Sequence, residues 1–112
     1  PEYLMSLLEG RDQRMGICVD TGHLVRSGLD PVAALRRMKG RIRSVHLKDV
    51  VAREPKARDV RFGDGVGKIR EILAELKSLG YRGYVTIEYE SLGDHVVEDV
   101  RQCVAFVRTV LQ

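Results

Sequence analysis

The stretch SVHLKD, Ser44 to Asp49, carries the reading of this chain. Val45 and Leu47 alternate with Ser44, His46 and Lys48, the period of a half-buried β-strand. Two further short apolar runs have the same form: GICVD, ending at Asp20, and YVTIEYE, with Glu88 near its end. Helix-like segments separate the three runs, which is the βα alternation of a parallel sheet. In a β/α barrel the C-terminal ends of the strands converge on one mouth, where side chains from separate strands meet. An Asp, a His and a Glu arriving there would compose a divalent-metal site.

Strand parity strengthens this expectation. Side chains alternate faces, so Asp20 shares its face with Cys18 and Gly16. His46 shares one with Ser44 and Lys48, and Glu88 with Tyr84, Thr86 and Glu90. The opposite faces carry Ile17 and Val19, Val45 and Leu47, Val85 and Ile87, all suited to packing on helices. A strand buried on both sides would be apolar on both. The shared departure from that pattern points to a polar lumen.

Working outward, Tyr3 to Glu9 reads as a short helix and Gly16 to Asp20 as a strand. Asp30-Pro31 is a helix start, Asp as cap and Pro in the first turn. That helix presents Val32, Leu35 and Met38 and stops at Gly40. A strand from Arg43 to Leu47 follows. Val50 to Gly67 is a long irregular stretch, of the kind that more often serves function than idles. Lys68 to Leu79 is a helix with Ile69, Ile72, Leu73, Leu76 and Leu79 inward. A strand from Tyr84 to Tyr89 and a last helix through Val97, Val100, Val104, Val107 and Leu111 complete the order α-β-α-β-α-β-α.

With 112 residues and 44% hydrophobic content, the chain has apolar mass for one modest core, expected as a single domain over residues 1–112. Three strands are too few to close a barrel, and a (β/α)₈ chain needs about 250 residues. The chain thus reads as the last third to half of one. No apolar run approaches the roughly 20 residues that span a bilayer. No charged-then-apolar leader is visible, and the opening Pro1-Glu2 reads as the interior of a longer protein. Cys18, in a strand, and Cys103, in a helix, read as small core residues, which suits a reducing cytoplasm.

The net charge of +3 is mildly basic, and five of the eight residues from Arg36 to Arg43 are cationic. Arg36, Arg37 and Lys39 close a helix, where cations balance its dipole. Arg41 and Arg43 enter the next strand at the end opposite Asp20 and His46. With aromatic content of only 5%, this is not expected to be a nucleic-acid surface.

VDTGH (19–23), SVHLKD (44–49), FGDGVGKIREILAELKSLGYRGY (62–84) and TIEYE (86–90) together resemble the sugar phosphate isomerase/epimerase family, with its xylose isomerase-like TIM barrel. The resemblance runs from about residue 2 to 109. It implies an α/β fold, the C-terminal part of a (β/α)₈ TIM barrel, about strands six to eight with their helices, as an incomplete barrel. By this resemblance Asp20, His46 and Glu88 are metal ligands, and Glu88 is also the catalytic acid/base. His23 contacts a substrate oxygen, and Arg53 stands one residue beyond the family's Arg position, at Ala52. The family's remaining ligand, a Glu on strand five, lies outside this segment.

Carboxylates and a neutral imidazole suit Mn²⁺, Mg²⁺ or Co²⁺, and Zn²⁺ less well. The implied activity is isomerisation or epimerisation of a sugar, sugar phosphate or small hydroxy-oxo acid by proton transfer through an enediolate. The implied partners are a small-molecule carbohydrate and the missing N-terminal barrel half or a second copy, with no nucleic acid and no membrane. Lys48 has three readings: an anchor for substrate oxygen, a Schiff-base amine, or a structural pair with Asp49. The glycines from Gly63 to Gly67 either present N–H groups to an anion or form a plain turn.

The segment by itself is expected to be inactive, because three strands leave exposed edges and one ligand lies outside it. For the whole barrel two other functions stay open. An inosose-type dehydratase would use the same metal framework for β-elimination. A type-IV apurinic endonuclease would hold zinc with Asp20 and His23. Those nucleases also carry an Asp-x-His where this chain has Ala57, Arg58 and Asp59, which argues against them.

Overall fold

The computed structural model describes residues 1–112. Its elements are α1 (Glu2–Leu7), β1 (Ile17–Asp20), α2 (Thr21–Arg26), α3 (Pro31–Arg37), β2 (Ile42–Leu47), β3 (Asp49–Val50), β4 (Asp59–Val60), α4 (Ile69–Ser78), β5 (Tyr84–Ile87) and α5 (Val96–Leu111). Strands β1, β2 and β5 form one parallel sheet in that order, while β3 and β4 pair antiparallel in a separate two-stranded ribbon. The sheet is open, the arrangement expected of part of a barrel. No helix is long and apolar enough to cross a membrane.

The parity expectation holds for β1 and β2. Ile17, Val19, Val45 and Leu47 are buried with Leu35, Met38, Ile72 and Leu76 in one cluster under α3 and α4. The edge strand β5 departs from it. Val85, on its apolar face, is 41% exposed, while Tyr84, on the face shared with Glu88, is 83% exposed. Cys103 is buried as expected, but Cys18 is exposed. The same alternation that turns Asp20 toward the lumen turns Cys18 there too, so it is not a core residue.

Helix α3 begins as its sequence dictates. The Asp30 carboxylate accepts from Val32 N at 2.9 Å and Ala33 N at 3.2 Å, with Pro31 in the first turn. Asp30 also accepts from Lys68 Nζ at 2.5 Å, and Arg36 donates to Glu75 at 2.7 Å, so two ion pairs bridge α3 and α4. The long stretch after β2 is ordered by a feature with no local signature. Buried Asp49 accepts from the N–H groups of Gly63 (2.9 Å), Gly65 (3.2 Å) and Gly67 (2.8 Å). A Cβ on Gly65 would lie 2.3 Å from the Asp49 carboxylate, so only glycine permits this approach. The glycines do bind an anion, and it is the chain's own.

The cationic run is sorted by structural duty. Arg41 donates to four carbonyls, those of Leu8, Arg11, Asp12 and Met15, and so ties down the connection from α1 to β1. Arg37, by contrast, makes only an exposed 3.6 Å pair with Glu2. Net hydrogen bonds contribute about 1 kcal/mol or less each when exposed. Arg41→Ala is therefore expected to lower the urea-unfolding free energy by about 2 kcal/mol, and Arg37→Ala by no more than about 0.5 kcal/mol.

The interhelix pairs predict an acid limb of stability. The hydrogen bond from Lys68, then that from Ala33 N–H, holds the Asp30 carboxyl below its ordinary 3.8. Arg36 holds Glu75 below its ordinary 4.5. Depressed carboxylates stabilise the fold fully above their unfolded values and lose that contribution as pH falls through the folded ones. The urea midpoint should therefore decline as pH drops below 4.5. The double variant Asp30→Asn, Glu75→Gln should show a shallower decline over the same range.

Candidate metal centre

The parallel register builds the site. Asp20 at the end of β1 sits opposite His46 of β2. Glu88 continues β5 by one step, its N–H donating to Leu47 O at 2.9 Å. Alternation then sends all three side chains to one face. One ligand atom from each lies within 4.8 Å of the others, and His46 Nδ1 contacts Glu88 Oε2. All three residues are partly buried at the rim of the open face.

Asp20 has two tasks. Its Oδ1 accepts from His23 N at 2.9 Å and caps α2, a short helix that the sequence reading did not anticipate. Its Oδ2 remains 3.7 Å from His23 Nε2 and 3.5 Å from Lys48 Nζ. The cap also brings the His23 ring, 65% exposed, to the mouth beside Asp20.

Lys48 is fully buried, beneath the carboxylates rather than open to the mouth. Its ammonium donates to Glu88 Oε1 at 3.1 Å and to Glu90 Oε2. The surface pair with Asp49 does not form, since Asp49 turns the other way to the glycines. Burial pulls the Lys48 pKa down, but hydrogen bonds to Glu90 and Glu88 and the charges of Asp20 and Asp59 outweigh it and hold it above 10.5. Lys48 in turn holds the Glu90 carboxyl below its ordinary 4.5. A Schiff-base lysine must be a free amine, so this environment does not suit that chemistry.

Space for Lys48 comes from residues the sequence reading quoted without giving them a role. A Cβ on Gly22 would lie 2.6 Å from Lys48 Cγ and Cδ. The buried Thr21 hydroxyl accepts from Lys48 N at 3.0 Å and lies 3.2 Å from Lys48 O. Asp59 was also missed as a support. It accepts from Arg26 Nη2 at 2.5 Å and from Glu90 N at 2.6 Å. Only parity could have flagged Glu90; nothing in the sequence pairs Arg26 with Asp59. Arg53 lies exposed between β3 and β4 and makes no hydrogen bond or ion pair, so the structure does not tie it to the cluster.

The donor chemistry fits a divalent cation. Two carboxylates and one imidazole are hard-to-borderline ligands suited to Mn²⁺, Mg²⁺ or Co²⁺. Asp20, Glu88 and Glu90 carry three negative charges against one on Lys48, leaving about two to be neutralised when His46 is neutral, as a ligand must be. The Arg26–Asp59 pair cancels internally.

A curated inosose dehydratase from Geobacillus thermodenitrificans is 34% identical over 80% of this chain and 35% of that protein. The rhizopine catabolism protein MocC of Rhizobium meliloti is 36% identical over 80% of this chain and 32% of its own length. The chain thus spans about a third of the curated relatives it matches. The crystal structure of a xylose isomerase domain protein from Planctomyces limnophilus superposes with a TM-score of 0.78 over 98% of this chain and 42% of that one. Its sequence is 24% identical, a likeness of fold. The family profile described as a xylose isomerase-like TIM barrel matches residues 2–110, and the chain belongs to that family.

Proposed function

We propose that this chain supplies the metal-binding rim of a dehydratase that removes water from a polyhydroxylated ketone, an inosose-type substrate. The observation that carries the reading is the convergence of Asp20, His46 and Glu88 within 4.8 Å. The relatives named inosose dehydratase favour elimination over the isomerase or epimerase outcome, although both begin by removing a proton beside a carbonyl. The nuclease alternative is disfavoured by Asp59. It stands where those enzymes carry a ligand histidine, and its carboxylate is committed to Arg26 and Glu90 N.

In this proposal Asp20 Oδ2, His46 and Glu88 hold the cation. When bound, the cation would polarise the substrate carbonyl and acidify the adjacent C–H. Lys48 fixes Glu88 through Oε1, so the other carboxylate oxygen faces His46 and the open face. Glu88 accepts the carbon-bound proton and returns it to the hydroxyl that leaves the next carbon. A C–H and a C–O bond break, a C=C bond forms, water departs and the carboxylate is restored. His23, at the mouth, contacts a substrate hydroxyl. Arg53, on the exposed loop, is the second proposed substrate contact and would have to swing inward.

The test is a barrel carrying this segment, incubated with an inosose and Mn²⁺, with products resolved by mass spectrometry and NMR. A dehydrated product that disappears on chelation supports the proposal, and Glu88→Gln should lower kcat by about 10²-fold or more. An epimer of unchanged mass would return the reading to isomerisation, and turnover unaffected by chelation would remove the metal. Gly22→Ala drives a methyl group into the Lys48 stem. It should destabilise the fold by about 2 kcal/mol and weaken Mn²⁺ binding measured by titration calorimetry. Unchanged stability would show that the close approach of Gly22 to Lys48 is not a constraint.

A further inference from the structure

We propose a second site, for a small oxyanion of the phosphate class, at the end of the sheet opposite the metal centre. A cavity of about 330 Å³ opens there between the start of β2, the C-terminal end of α3 and the turn that follows α4. Three cationic side chains line it, Lys39, Arg43 and Arg82, and no acidic residue does.

The surrounding cations are spoken for, and these three are not paired with carboxylates. Arg36 is bound to Glu75, Arg37 to Glu2, and Arg41 to four main-chain carbonyls. Lys39 and Arg82 are exposed, and their side chains make no hydrogen bond or ion pair. Arg43 is held in place by the carbonyls of Gln13, Gly40 and Ile42, which position its guanidinium without neutralising it. The cavity also includes Gly40, Arg82 and Gly83, whose backbone N–H groups donate to no protein acceptor.

Magnitudes decide against helix capping as the whole explanation. Each helix C-terminus contributes at most about half a negative charge, so α3 and α4 together offset about one of the three cations. A surplus of about two positive charges remains around one concavity. A phosphate or phosphomonoester dianion matches that surplus, and its oxygens accept from arginine forks and free N–H groups alike.

The site is separate from the metal centre. Arg43 and His46 are three residues apart on β2, about 10 Å along the strand. The cavity lies at the opposite end of the strands, so a small ion bound there does not touch the cluster of Asp20, His46 and Glu88.

Titration of the chain with inorganic phosphate at constant ionic strength, followed by amide NMR, tests the proposal. Saturable shifts at Gly40, Arg82 and Gly83 are expected, with affinity reduced about tenfold or more in Lys39→Gln and Arg82→Gln. Both residues are exposed, so these variants should keep the fold, which far-UV circular dichroism confirms. Lys56→Gln, in the loop between β3 and β4, should leave the affinity unchanged. A sugar phosphate used as a parallel probe separates the sources: tighter binding than inorganic phosphate marks a phosphomonoester site, and equal binding a free-phosphate site. Equal response to chloride, shifts confined to the loop of residues 51–64, or unaltered affinity in both glutamine variants would overturn it.

Discussion

The rim of this sheet depends on one buried ammonium. Lys48 lies at the end of the central strand and reaches Glu88 and Glu90 beyond β5 and Asp20 at the end of β1. A buried charge is costly unless it is paired and hydrogen-bonded, and three carboxylates gathered without a cation would repel one another. Each problem resolves the other. The result is a net negative rim whose shape is set by the chain's own side chains, with strand ends from three separate segments drawn to one point.

That arrangement has a supporting layer. Thr21 clamps the Lys48 main chain, and Gly22 leaves room for its stem. Asp59 anchors Glu90 through its N–H and is itself fixed by Arg26 from α2. The residue after Lys48 works in the opposite direction: Asp49 gathers the glycine N–H groups that close the long stretch after β3. Adjacent residues on one strand end thus organise two different regions, Lys48 the acidic rim and Asp49 the glycine turn, because alternation points them to opposite sides.

The three strands of the parallel sheet, α3, α4 and the three converging residues were legible because their signals are local, whereas the short ribbon of β3 and β4 fell inside a stretch read as irregular. Period-two alternation fixed which residues share a face, and Asp30-Pro31 marked a helix start that the structure reproduces. Helix α2 was hidden because Thr21 and Gly22 are poor helix formers; it forms through capping by Asp20 and burial against Lys48. Cys18 was misplaced because its residue type argued for a core although its parity argued for the lumen. Apart from the Val50 N–H on Asp49, the partners of Lys48, Asp49 and Asp59 lie 14 to 42 positions away in sequence, and no local pattern encodes a pairing of that span.

Asp20 shows how a capping residue could also serve as a ligand in the proposed metal site. A free carboxylate at a strand end rotates, and ordering it on metal binding would cost side-chain entropy. Here the hydrogen bond from His23 N holds Oδ1, so the rotation is already lost on folding. Oδ2 is left 3.5 Å from Lys48 Nζ and 3.7 Å from His23 Nε2. The same turn of chain that stops β1 and starts α2 also delivers His23 to the mouth. Local helix energetics and site geometry are therefore one constraint at this position. Replacing Asp20 by Asn would keep much of the cap while removing the charge, which separates the contribution of the helix from that of the ligand.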